Sequence, residues 1–353
     1  MSDTGAMAMP RVAGDRSGNA RRLTGLLVVL LICAGTASLS SGASDTSLGQ
    51  ALRDLMAGQG IAARDRIVLW DIRLPRLMMG GLIGAALAVS GALLQGLFRN
   101  PLADPGIVGV SAGAGLGAVA AIVLGGVLPF ALGAWLVPMA AFAGAWASTM
   151  LLYRVATRQG RTSVATMLLA GIALGAMTSA LTGLLVYFAD DTQLRDFTFW
   201  TMGSLAGASW EKLIVAAPLL AVTVCAAPLL APGLNGLALG EAAAGHIGIA
   251  VQRVKAMAIL TVALATGTAV ALSGGIGFVG IIVPHLLRLI SGPDHRHLLP
   301  NAALLGATVL ILADMVSRAV IAPAELPIGI VTAMLGGPFF LWILLRNRGV
   351  LDL

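Results

Sequence analysis

Charge is what this sequence has least of. Asp, Glu, Lys and Arg make up 11% of its 353 residues, and only two of its 22 basic residues, Lys212 and Lys255, are lysines. A soluble domain usually carries about 25% charged residues, so this chain cannot build an ordinary water-facing surface. Cysteine is scarce too: Cys33 and Cys225 lie inside apolar runs, where they read as small core residues, and a disulfide framework is excluded. No Gly-x-x-x-x-Gly-Lys-Ser/Thr segment exists and neither lysine follows a glycine-rich loop, which excludes P-loop nucleotide binding. The four histidines, His246, His285, His295 and His297, lack His-Glu-x-x-His spacing, and no nucleophile and base stand together to suggest an enzyme. For His295 and His297, in SGPDHRHLLP, the expectation is a solvated loop.

What fills the chain is apolar. Hydrophobic residues reach 58%, and the mean hydropathy is +0.92, the composition of an integral membrane protein. The net charge of +6 suits the anionic cytoplasmic leaflet, so lipid is an expected partner and nucleic acid is not. Apolar runs near 23–43, 77–97, 107–128, 131–153, 165–188, 211–231, 254–273, 276–290, 300–321 and 326–345 predict an all-α polytopic fold of ten transmembrane helices. The eighth run is short, and Gly274, Gly275, Gly277 and Gly280 at its start predict a broken or half-length helix. The first run follows Arg11, Arg16, Arg21 and Arg22 and reads as a cleaved leader or a retained helix; it exceeds the usual leader core of about 7–15 residues, which favours the helix.

With the N-terminus inside, fourteen of the 22 basic residues fall in the cytoplasm and eight outside, as the positive-inside rule requires. Both termini are then cytoplasmic: a tail at 1–22, one transmembrane domain at 23–346 with a cytoplasmic loop at about 232–252, and a tail at 347–353. Arg73 and Arg76, in DIRLPR, come out on the outer side with Arg195 and Arg318. Glycine is abundant, at 45 residues, and patterns such as Gly80-Gly81-x-x-Gly84 and Gly171-x-x-x-Gly175 predict close helix packing. GAALAVSGALLQG (84–96) and GTAVALSGGIGFVG (267–280) echo each other on spans of opposite direction, the pattern of an inverted internal repeat.

Ion-coupled carriers place ionisable groups within their spans, and the one clear candidate is Asp314. It stands four residues before Arg318, so the pair reads as a local ion pair or as part of a proton relay. The scarcity of such groups points to energy supplied by another subunit. In the loop APGLNGLALGEAAAGHIGIAVQRVK, Gly240 precedes a short predicted helix with Glu241 at its positive end and a turn at Gly248. Its small residues suit either a simple connector or a knob entering a partner's cleft.

Five segments in order carry a resemblance: RLPR (73–76), SGALLQGLFRNPLADPGIVGVSAGAG (90–115), GEAAAGHIG (240–248), GGIGFVGIIVPHLLR (274–288) and ELPIGIVTAMLGGPFF (325–340). They resemble the permease subunits of type II ABC importers for iron siderophores, haem and cobalamin, over about residues 65–346. The resemblance implies a ten-helix subunit of the bacterial inner membrane that pairs with a second copy, with the path between helices five and ten. It implies two ATP-binding cassette subunits engaged through Gly240, Glu241, Ala242, Ala243 and Gly248, with ATP and Mg in those partners and no cofactor in this chain. It also implies a periplasmic binding protein whose glutamates meet Arg73, Arg76 and Arg318, guanidinium forks being suited to carboxylates. The residues leave open pairing of Arg73 with Asp71 and of Arg318 with Asp314. LADPGIVGVSAGAG is most similar to the haem permeases, while cobalamin permeases carry a similar pattern. Arg195, in FADDTQLRDFTFW, is placed to attract haem propionates or to pair with Asp191 or Asp196. A ferric siderophore or cobalamin as cargo, and a secondary carrier working through Asp314, are the alternatives.

Overall fold

Lipid offers the backbone no hydrogen-bond partners, so apolar runs of spanning length must close their amides within helices. The computed structural model describes residues 16–42, 48–58, 62–126 and 132–346, which leaves Arg11 and Arg348 outside the described residues. In chain order the helices are α1 (Ser17–Ser40), α2 (Leu48–Met56), α3 (Ala63–Arg66), α4 (Leu74–Phe98), α5 (Val110–Leu124), α6 (Leu136–Ala156), α7 (Val164–Phe188), α8 (Asp191–Met202), α9 (Trp210–Ala226), α10 (Ala231–Leu237), α11 (Glu241–His246), α12 (Val251–Ser273), α13 (Val279–Ser291), α14 (His295–Ala319) and α15 (Ile328–Arg346). Ten of them, α1, α4 to α7, α9 and α12 to α15, fall on the ten expected spans. Between α6 and α7 lies a small hairpin, β1 (Thr157–Arg158) and β2 (Arg161–Thr162).

Two of these ten helices are short. α13 has 13 residues, as its glycine-rich start predicts, while α5 has only 15 where a full span was expected. The reason is local: Pro105–Val108 forms a separate 3₁₀ turn and Gly109, at φ 75°, ends it before α5 starts. Each short helix follows a long one, α4 of 25 residues and α12 of 23, and each is the third of five spans. An odd number of spans per half makes the second half run opposite to the first, the arrangement of an inverted repeat. The two echoing segments also meet. A Cβ on Gly91 of α4 would collide with the carbonyl oxygen of Gly280 in α13. Replacing Gly91 by Ala should therefore force the helices apart, destabilising by about 1–3 kcal/mol in a thermal or denaturant unfolding assay in detergent.

α4 is the centre. It packs against α9, α12, α13 and α14 and is mostly buried, whereas α1 and α7 are mostly exposed. Outer helices direct apolar residues at lipid, which needs no polar coat. That explains a correction: Cys33 and Cys225 are free and exposed rather than in the core, because apolar surroundings in a membrane include the outside of the bundle. Upstream, α4 is prolonged by a π-helical stretch, Ile67–Arg73. Pro75 lacks an N–H, and just before it the ladder has shifted so that the Leu74 amide donates to the Leu69 carbonyl.

α4 and α14 run antiparallel: Arg76 meets Asp314, Gly84 meets Gly306, and Gly96 meets His295. The loops thus sort onto two ends about 35 Å apart, from the 1.5 Å rise per helical residue.

Candidate functional site

One end is organised by arginines. The Arg76 guanidinium bridges two carboxylates, its Nη2 2.9 Å from Asp314 Oδ1, its Nε donating to Asp314 at 3.0 and 3.2 Å, and its Nη1 and Nη2 donating to Glu325 at 2.8 and 2.9 Å. Arg318 Nε donates to the other oxygen of Asp314 at 3.0 Å, the i to i+4 pair that helix geometry allows. Arg318 also donates to the Ser41 carbonyl and the Ser38 hydroxyl, both at 3.0 Å, and Arg73 donates to the Leu39 carbonyl at 2.6 Å. These acceptors lie at the C-terminus of α1, whose last carbonyls have no helical partner and carry the negative end of the helix dipole. Glu325 is brought in because the Ser317 hydroxyl and amide-carbonyl contacts with Leu326 pin the segment after α14 back onto that helix.

Arg73, Arg76 and Arg318 therefore converge, as the family pattern implies, but not as free forks. Arg73 is 6% and Arg76 8% exposed, and Arg76 and Arg318 are already paired with carboxylates of this chain. Of the pairings the residues left open, Arg318 with Asp314 is present. Asp314 sits between two guanidinium groups, which accounts for a buried carboxylate in a span without a relay. Sequence reasoning missed Glu325; its signal was an isolated acid directly before the Leu-Pro of ELPIG.

The other end carries α11. The predicted short helix is there, entered through Gly240 at φ 104° and left through Gly248 at φ 85°, backbone that favours glycine. Only Ala244 is buried in it; Ala242, Gly245 and His246 are exposed, flanked by Leu239 and Ile247 at 70% and 63% exposure. Ala243 is half-buried. Glu241 Oε1 is 2.6 Å from Lys255 Nζ, and Lys255 is 2% exposed. Lys255 was also missed, although as one of two lysines at the start of a span it was conspicuous. The solvated loop expected for His295 is corrected: this residue is buried, its ring Nδ1 2.8 Å from Asn235 Oδ1, and its Nε2 fills the space left by Gly96. Asn235 also donates to Asp294 at 2.6 Å, tying α10 to the start of α14.

Arg195 is exposed on α8, whose first turn is held by a capping box of Asp190 and Gln193. Among the described residues it makes no ion pair with Asp191 or Asp196. Asp104 of LADPG accepts from the Gly106 amide at 2.8 Å and shares a cavity of about 20 Å³ with Ser111 and Thr266. No group of three or more His, Cys, Asp or Glu is arranged to hold a metal among the described residues.

Known proteins match this architecture over nearly its whole length. The hemin transport system permease protein HmuU of Yersinia pestis is 44% identical over 328 residues, 93% of this chain and 96% of that protein. The vitamin B12 import system permease protein BtuC of Klebsiella pneumoniae is 45% identical over 293 residues, 83% of this chain and 86% of that protein. A solved structure of a metal-chelate type ABC transporter in an inward-facing conformation superposes with a TM-score of 0.82 at 32% identity, covering 92% of this chain and 99% of that one. With the FecCD transport family matching residues 27–346, and with ten helices laid on ten apolar runs, the chain belongs to that family and is a multi-pass ABC importer permease.

Proposed function

We propose that this permease takes haem from a periplasmic binding protein and passes it across the bacterial inner membrane as a homodimer driven by two ATP-binding cassette subunits. Haem is favoured by extent of similarity: at nearly equal identity, the hemin permease aligns with 93% of this chain and the cobalamin permease with 83%. Exposed Leu239, Ala242 and Ile247 around α11 suit a contact with the ATPase, and the fourteen-to-eight excess of basic residues supports a cytoplasmic position for that end. ATP and Mg belong to those partners. A secondary carrier working through Asp314 is disfavoured because Arg76 and Arg318 already hold that carboxylate.

Reconstitution into liposomes with the cognate binding protein and ATPase tests the cargo. ATP-dependent haem uptake is expected, and uptake of cobalamin or a ferric siderophore in its place would overturn the choice. Arg195, exposed on α8 at the periplasmic end, is proposed to attract the haem propionates.

Docking of the binding protein is proposed at the arginine cluster, with Glu325 as the internal competitor for Arg76. The Glu325 side chain is 37% exposed while that of Arg76 is 9% exposed, so Glu325 covers the guanidinium an incoming glutamate would claim. Glu325→Gln should then tighten binding-protein docking several-fold in a surface-plasmon measurement; weaker or unchanged docking would make the cluster purely a structural tie.

A further inference from the structure

We infer that Lys255 is a positioning residue that makes α11 and the β1–β2 hairpin move as one body, so that a push on α11 reaches α6 and α7 as well as α12. This rests on the reading of α11 as the ATPase contact.

Lys255 stands in the second turn of α12, and its ammonium is almost wholly buried at 2% exposure. It touches two other elements at once, Glu241 Oε1 of α11 at 2.6 Å and the Thr162 carbonyl of the hairpin at 2.7 Å. One turn earlier on the same face, the Gln252 side-chain oxygen accepts the Thr162 amide at 2.9 Å. Both backbone groups of Thr162 are thus taken by side chains of α12. The hairpin is closed on itself by the Thr157–Thr162 hydroxyl pair at 2.9 Å and by pairing of Thr157 with Thr162 and Arg158 with Arg161.

The chemistry makes this junction stiff. A buried ammonium that lost Glu241 would keep one neutral carbonyl as partner, and breaking one side of a buried ion pair is far more costly than the pair is worth when intact. Displacement of α11 therefore carries Lys255 with it, and Lys255 carries Thr162. The hairpin is the direct link between α6 and α7, and α5 packs on both of those helices. Apart from this lysine, the main contacts of α11 among the described residues are with its chain neighbours α10 and α12.

The test uses the assembled importer, permease with ATPase and binding protein, in liposomes. Lys255→Met is expected to leave ATPase subunits bound and hydrolysing ATP while substrate moved per ATP falls about tenfold, and Lys255→Arg should restore most of it, since an arginine can still reach a carboxylate and a carbonyl. An unchanged uptake-to-hydrolysis ratio in Lys255→Met overturns the proposal. If Lys255→Met does not fold, Gln252→Leu, which releases the Thr162 amide without stranding a charge, decides: a several-fold lower ratio supports the linkage and an unchanged ratio overturns it. Ala242→Trp on the exposed face of α11 separates the two readings. If it disturbs coupling and Lys255→Met does not, only the linkage fails; if it leaves ATPase binding and coupling intact, the α11 contact itself fails.

Discussion

Replacing Asp314 by alanine should lower stability by about 3–5 kcal/mol, the penalty for breaking a buried ion pair from one side. Asp314 is 3% exposed and receives hydrogen bonds from both Arg76 and Arg318. Its removal leaves Arg318 with neutral serine contacts and Arg76 with Glu325 alone. Because α4 and α14 pack closely along their length, the loosened pair lies in an extensive helix contact of the bundle. Unfolding in detergent or bicelles measures the effect. The double variant Asp314→Ala, Arg318→Ala should recover part of the loss, since one uncompensated cation is removed with its partner. Equal stability of Asp314→Ala and the unaltered protein would mean that water already solvates this cluster. Asp314→Asn, which keeps one acceptor oxygen, should fold and still support ATP-driven uptake; uptake that continued with an inactive ATPase would revive the carrier reading.

The second large effect is functional. Tryptophan at Ala242 and Ala243 should reduce uptake at least about tenfold, equivalent to about 1.4 kcal/mol lost at one contact, while leaving the unfolding midpoint nearly unchanged. Ala242 is exposed and Ala243 half-buried on α11, so neither indole has to enter the core, whereas the same change at fully buried Ala244 would disrupt packing. A small-residue knob fits a cleft only while it stays small. Normal uptake by both variants would remove α11 from the coupling surface.

Much of this molecule is legible in order along the chain. The ten apolar runs became ten helices, the glycine-rich start of the eighth gave a half-length helix, and GEAAAGHIG gave a short helix between two left-handed glycines. Those features depend on neighbours within a turn or two and on the requirement that backbone amides be satisfied inside lipid. For His295, where expectation failed, the deciding neighbour was distant in sequence. His295 is buried because Gly96, about two hundred residues away, leaves room for its ring. α5 is short because its approach through Pro105 and Gly109 is a turn, which hydropathy alone does not distinguish from helix.

The sequence by itself determined the solvent, the helical spans and which loops share an end, because charge and hydropathy respond to the bilayer one segment at a time. It also brought Arg73, Arg76 and Arg318 to a single end. Only the tertiary structure decided what those arginines touch: Arg76 is fixed by carboxylates 238 and 249 residues away, and Lys255 by a carbonyl 93 residues away. A buried charge is stable only beside the partner that folding delivers, and no local pattern names that partner.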